Sequence, residues 1–311
     1  MGIHDGDAVS PGAECRSVPA DIHGVSWNAL PALVYRSSDL EVVVLPERGG
    51  KIASIRDKTG REWLEQPLLP LPDLSKISPV FIEGDMCGWD ECGPTISPCQ
   101  LGDLILPDHG ELWSQAWRQD SEGWLTARGR QRDYEFGRRL SVEGSKIVLD
   151  YRVAAGNETL PFLWAAHPQF CVDVGTEIIL PDHVSQVVDV RAGPSLPRLP
   201  VNELRHLAFT PANACRKFYV EPESDIHEVS LLHGDGSRLT LTWTQALPYL
   251  GIWIDRSVYA RHDVVALEPS TGFYDSCEEA VSRAKVLVLR PFTNICWSVI
   301  VAISPRSASP S

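Results

Sequence analysis

From residue 39 to residue 303 the chain is a succession of short apolar runs of strand length, separated by Gly, Pro, Asn and Asp turn signals. Such runs each bury one face of a pleated strand, and helical periodicity is scarce among them. LEVVVLPERG (40–49) stops at Pro46 and runs into the Gly49–Gly50 pair. KIASIRD (51–57) alternates apolar and polar residues, DKTG (57–60) is a turn signal, and REWL (61–64) is expected to return as the hairpin partner.

Further strands are expected at 111–118, 124–131, 134–142, 146–154, 160–170, 176–180, 184–191, 216–221, 227–233, 238–244, 249–255, 264–268, 286–290 and 295–303. VEGSK (142–146) and HGDGSR (233–238) read as hairpin turns. Prolines at 67, 70, 72 and 79 rule out a helix or a central strand over 65–80 and imply a long, stiffened loop. One or two helical turns are expected at CEEAVSRAK (277–285), with Ser276 as cap. The fold class that follows is all-β, a large antiparallel β-sandwich spanning 26–304. It lies between a loosely ordered N-terminal segment (1–25) and a flexible C-terminus (305–311).

At 311 residues the chain can bury a large core. Its formal net charge of -13 argues against nucleic acid or an anionic membrane as partner, since both need a basic footprint. That charge suits a neutral small molecule or a cationic ligand. There is no apolar run of about 18 residues, so no membrane-spanning helix is expected. The first residues, MGIHDGDAVSPGAECR, lack the basic and apolar regions of a signal peptide. Eight cysteines are scattered without framework spacing, which fits reduced thiols in a cytoplasm. Nothing in the sequence sets the oligomeric state.

Four segments concentrate acid–base and aromatic groups. GDMCGWDECGPTI (84–96) sets Asp85, Trp89, Asp90 and Glu91 between glycines. PDHGELW (107–113) carries His109 and Glu111 on a turn. LPFLWAAHPQF (160–170) places His167 in an apolar run, before a proline that cannot continue a ladder. VVALEPSTGFYDS (264–276) ends an apolar run on Glu268. A buried carboxylate there would be costly unless paired or used, and its raised pKa would suit a general base.

Each has a plainer reading: a satisfied core histidine, a strand end emerging into water, a polar turn. Cys87, Cys92 and Cys99 with His109 invite a zinc site, but C-x4-C and C-x6-C are not zinc spacings. No P-loop, dinucleotide fingerprint or nucleophile elbow is present. Of ten Trp, most are expected in the core. Trp89, Trp113 and Trp253 lie near the polar segments, where a flat ring suits the apolar side of a sugar.

Taken together, LEVVVLPERGGKIASIRDKTGREWL, DHGELWSQAW, LPFLWAAHPQF, ALEPSTGFYDSCEEAV and VLVLRPFTNICWSVIVAI resemble, in order and spacing, the galactose mutarotase (aldose 1-epimerase) family. The resemblance covers about residues 28–304. It implies a β-sandwich with an open groove and the interconversion of α and β anomers of a sugar, with no cofactor or metal required. It implies Glu268 as the base at the C1 hydroxyl, His167 as the acid at the ring oxygen, and His109 as a second, polarising histidine.

The family's hydroxyl-binding shell is not kept. Ala166 and Pro168-Gln169-Phe170 flank the central histidine, and Trp89-Asp90-Glu91 stands where the family has Asn-Arg. Lys217 falls near the family's sugar-binding Asp, and Gly251, in the segment of Trp253, near its Gln. Trp89, Asp90, Glu91, Lys217 and Trp253 are therefore the candidate substrate-binding residues. Lys217 reads either as a cation facing an anionic sugar or as a surface lysine. A sugar binder without turnover is the alternative reading.

Overall fold

The computed structural model describes residues 25–74, 80–192 and 195–304. Of the ends expected to be loosely held, 1–25 and 305–311, residues 1–24 and 305–311 lie outside the described residues.

Two large antiparallel sheets form the molecule. One has eight strands, in the order Glu177–Ile179, Glu228–Leu232, Arg238–Trp243, Asn294–Ser304, Lys146–Ala155, Tyr134–Glu143, Leu125–Arg128 and Arg118–Gln119. The other has eleven strands. Its main path runs Arg198–Pro200, Gln186–Asp189, Cys215–Val220, Tyr249–Arg256, Asp263–Ser270, Ala165–Pro168, Trp89–Cys92, Lys51–Asp57, Leu40–Leu45 and Leu33–Arg36, and Phe170–Cys171 pairs with Asp263–Ser270 off that path. Both sheets send apolar side chains into one cluster, as a β-sandwich requires. Its centre is aromatic: Tyr151, Trp164 and Trp297 pack with ring centroids 4.7–5.7 Å apart. Among the described residues no helix is long and apolar enough to cross a membrane.

Strand alternation decides which residues meet a ligand. Along the eleven-stranded sheet, Ile52, Trp89, Ala166, Phe218, Ile252 and Leu267 point into the main core. Lys51, Asp90, His167, Lys217, Trp253 and Glu268 alternate with these neighbours and occupy the opposite face. Cross-strand register brings that second set together: His167 lies opposite Asp90, Lys217 opposite Trp253, and Glu268 opposite Gly251.

Three sequence expectations change. Of the strand expected at 111–118, residues 111–117 form none, and Arg118–Gln119 begins the pairing instead. The segment folds back so that Trp117 Nε1 donates to the Leu112 carbonyl at 3.0 Å, and its backbone docks on the Gly49–Gly50 pair. A Cβ on Gly49 would lie 2.3 Å from the Trp113 carbonyl oxygen. REWL makes only isolated bridges, Glu62 to Arg56 and Leu64 to Phe170, and the Glu62 carboxylate itself accepts from the Ile55 amide at 2.9 Å. The 160–170 run is broken into Leu160–Phe162, Ala165–Pro168 and Phe170–Cys171. The break follows from Trp164, whose amide donates to Thr271 Oγ1 at 2.7 Å rather than to a ladder carbonyl. The short helix Cys277–Ser282 forms where expected, capped by the Ser276 side chain.

Candidate active site

A cleft of about 380 Å³ opens on the outer face of the eleven-stranded sheet. Phe81, His109, His167, Lys217, Trp253 and Asp275 line it. A larger groove, about 780 Å³, runs past Arg48, Trp113 and Arg130, but it holds none of the candidate catalytic residues.

His109 reaches the cleft from a loop held in a demanding conformation. Its φ is 56°, in the left-handed region where a histidine is strained, and Gly110 follows at 69°. Gly110 has to be glycine: a Cβ would sit 2.0 Å from the Gly93 carbonyl oxygen. Glu111 anchors the loop from below, donating its amide to Gly93 at 2.8 Å and accepting from Tyr134 at 2.7 Å. The His109 ring stacks on Phe81, centroids 3.9 Å apart. Its Nδ1 meets Asp108 Oδ1 at 2.9 Å. The Phe81 amide donates to the other oxygen of Asp108 at 3.2 Å. Burial works against that carboxylate, yet the hydrogen bonds from His109 and Phe81 and the charge of His109 hold its pKa below the usual range.

His167 stands edge-on to His109, with ring centroids 5.3 Å apart. It is 4 % exposed, and the Gln169 amide meets its Nδ1 at 3.2 Å. With Gln169 donating, the ring proton belongs on Nε2. Burial, then the nearby charges of His109, Lys217 and Lys51, push the imidazole well below its ordinary pKa, so it is neutral at physiological pH.

Glu268 is fully buried and lies beneath Lys217. Lys217 Nζ donates to Glu268 Oε2 and reaches Asp275 Oδ1 at 3.2 Å. Gly251 makes this possible: a Cβ there would lie 3.3 Å from both Glu268 Oε2 and Lys217 Cε. Burial raises the Glu268 carboxyl, with Lys217 pulling against it. Burial acts to lower the Lys217 ammonium, but Asp275 and Glu268 outweigh it and the net direction is up. Lys217 is therefore a buried cation in the cleft wall, not a surface lysine. Among the described residues Glu268 Oε1 has no hydrogen-bond partner.

The substrate-binding candidates separate by strand face. Trp89 and Glu91 do not reach the cleft. Trp89 is fully buried in the main core, and Glu91 accepts there from Arg138 at 2.7 Å, Trp164 at 2.9 Å and Tyr151 at 3.0 Å. Asp90 faces the cleft side but is locked by Lys51 at 2.6 Å, and burial pushes its pKa up to about 6. Trp253 and Lys217 line the cleft, with Arg191 over the Trp253 ring at 5.3 Å. Sequence reasoning passed over Phe81, Asp108 and Asp275. Adjacency to His109 was the available signal for Asp108, and position in the Glu268 segment the signal for Asp275.

Comparison with solved structures supports the architecture. The chain is similar to the Slr1438 protein of Synechocystis sp. PCC 6803, at 14% identity over 91% of this chain and 99% of that one, with a TM-score of 0.70. It is similar to a galactose mutarotase-like protein of Lactobacillus casei, at 15% identity over 88% and 100%, with a TM-score of 0.67. A galactose mutarotase-like protein of Clostridium acetobutylicum aligns at 14% identity over 90% and 97%, with a TM-score of 0.68. No sequence-family profile and no curated protein matches the chain. The fold is thus the galactose mutarotase-like β-sandwich.

Proposed function

We propose that this protein is an aldose 1-epimerase-type isomerase, which opens and recloses the hemiacetal of a small sugar and so interconverts its α and β anomers. The observation that carries this reading is the His109–His167 pair, set edge to face 5.3 Å apart on the wall of one cleft beside Trp253. Ring opening needs a proton taken from O1 and one delivered to O5, and two positioned imidazoles can supply both and reverse their roles on closing. The face of Trp253 suits the apolar side of a pyranose. His167, neutral with its proton on Nε2, is the donor to the ring oxygen. A neutral imidazole can polarise a substrate oxygen in this way.

The test is polarimetry on freshly dissolved α-D-glucose, α-D-galactose, α-D-xylose and α-L-arabinose. At least one should mutarotate faster with the protein than in buffer, and His167→Asn should remove most of that acceleration. One observation favours a second reading, binding without turnover: Glu268 is sealed under Lys217. A sugar that raises the melting temperature while no aldose mutarotates faster would decide for it.

A further inference from the structure

We infer that His109, oriented by Asp108, is the base that takes the proton from the anomeric hydroxyl, while Lys217 keeps Glu268 out of that role; this rests on the isomerase reading above. Glu268 is fully buried, does not line the cleft, and has one oxygen bound to an ammonium that does line it. A ligand in the cleft meets Lys217 first. His109 is placed the opposite way. Its side chain is 18 % exposed, it lines the cleft, and its Nε2 makes no hydrogen bond among the described residues.

Asp108 makes a base of this ring. With its carboxylate accepting from Nδ1–H at 2.9 Å, Asp108 orients the ring and leaves the Nε2 lone pair free. Asp108 does not touch the cleft chemistry itself, so it is a positioning residue. Phe81 fixes both partners, stacking on the ring and donating its amide to the carboxylate. The left-handed backbone at His109 is strain spent on aiming this side chain.

The step balances. His109 Nε2 takes the O1 proton, the O1–H electrons form the C1=O1 bond, the C1–O5 bond breaks, and O5 takes the proton of His167 Nε2. Lys217 and Lys51 lie near His167, and their positive charges favour the negative charge that builds on the neutral ring as this proton leaves. The proton held by His109 then restores His167. Rotation about C1–C2 and the reverse sequence give the other anomer.

The experiment uses the full chain and the fastest aldose of the four-sugar panel, read by polarimetry across sugar concentration. Charged and titratable groups facing His109 are Asp108 on its own loop, His167, Lys217 and Glu268 from the sheet, and Asp275 across the cleft. His109→Gly suits the left-handed backbone and leaves a gap on Phe81. It should lose on the order of 100-fold in rate, and added imidazole should restore part of it. Asp108→Asn should lose about tenfold in kcat with KM little changed, because the ring is no longer held with its Nε2 lone pair toward the cleft. Glu268→Gln should lose less than His109→Gly.

A larger loss for Glu268→Gln than for His109→Gly overturns the inference and leaves the isomerase reading standing. So does an Asp108→Asn protein with the wild-type kcat, together with a His109→Gly protein that imidazole does not rescue. If the wild type accelerates no aldose, both fall.

Discussion

The strands under the cleft and the loop at its edge hold their acidic side chains differently. Three buried carboxylates on the sheet each have a cation: Lys51 for Asp90, Arg138 for Glu91, Lys217 for Glu268. Each of these cations is nearly or fully buried, and the pairs fix side chains across neighbouring strands. On the loop, Asp108 has only a histidine as its ionisable partner among the described residues, and both are partly exposed. Burial raises all three of the sheet carboxyls while the cation beside each works against it, and the ion pairs tie the side chains in place. The Asp108–His109 pair instead sits on the wall of the cleft. On the mechanism proposed above, the first set is structural and the second handles the proton.

The largest expected effect lies with the most saturated pair. Glu91→Ala would leave Arg138 buried and unpaired, and should cost roughly 3–5 kcal/mol in denaturant unfolding, whatever sugar is present. Next is Lys217→Met, expected to cost about 3 kcal/mol near neutral pH by stranding Glu268. The sign of its pH dependence follows from the Glu268 carboxyl, already raised by burial and raised further without Lys217. A raised carboxyl favours the fold below its unfolded value, about 4.3, and that stability is lost as pH rises through the folded value. The variant should therefore fall further behind wild type as pH rises, and adding Glu268→Gln should flatten the difference. A Lys217→Met protein with an unchanged melting curve would break the comparison.

A smaller effect comes from His233, which burial and then Arg61 push down to about 4. A depressed histidine contributes stability above its unfolded value, about 6.5, and loses it as pH falls towards the folded value. Melting temperature should decline from about pH 6.5 to about pH 4, and His233→Gln should shallow that decline. The smallest belongs to the exposed Arg36–Glu41 pair: Arg36→Gln should change stability by less than about 1 kcal/mol, again by denaturant unfolding.

Much of the sandwich was legible because its strands announce themselves by period and by bounding turns. Lys146–Ala155 and Tyr134–Glu143 lie within a residue of their expected limits, and the turn between them is where VEGSK placed it. Trp89–Cys92 was not legible: flanking glycines at 88 and 93 read as loop, while all four residues between them are buried. That omission explains why Trp89, Asp90 and Glu91 were grouped, since only a strand separates alternate residues onto opposite faces. His109, His167 and Glu268 stood out as polar groups in unlikely surroundings. The pairing of Lys217 with Glu268 did not, because it rests on a missing side chain at Gly251 and on two strands brought together only in the fold, from partners 51 positions apart in the chain.

The measurement that tests the central claim most directly is anomeric exchange by NMR, with the protein added to equilibrated glucose, galactose, xylose and arabinose. The account predicts magnetisation transfer between the α and β C1 protons of at least one sugar at a rate above that in buffer, and its loss in a His109→Gly, His167→Asn double variant that still melts cooperatively. Transfer that persists unchanged in the double variant, or that is absent for every sugar with the wild type, would contradict it.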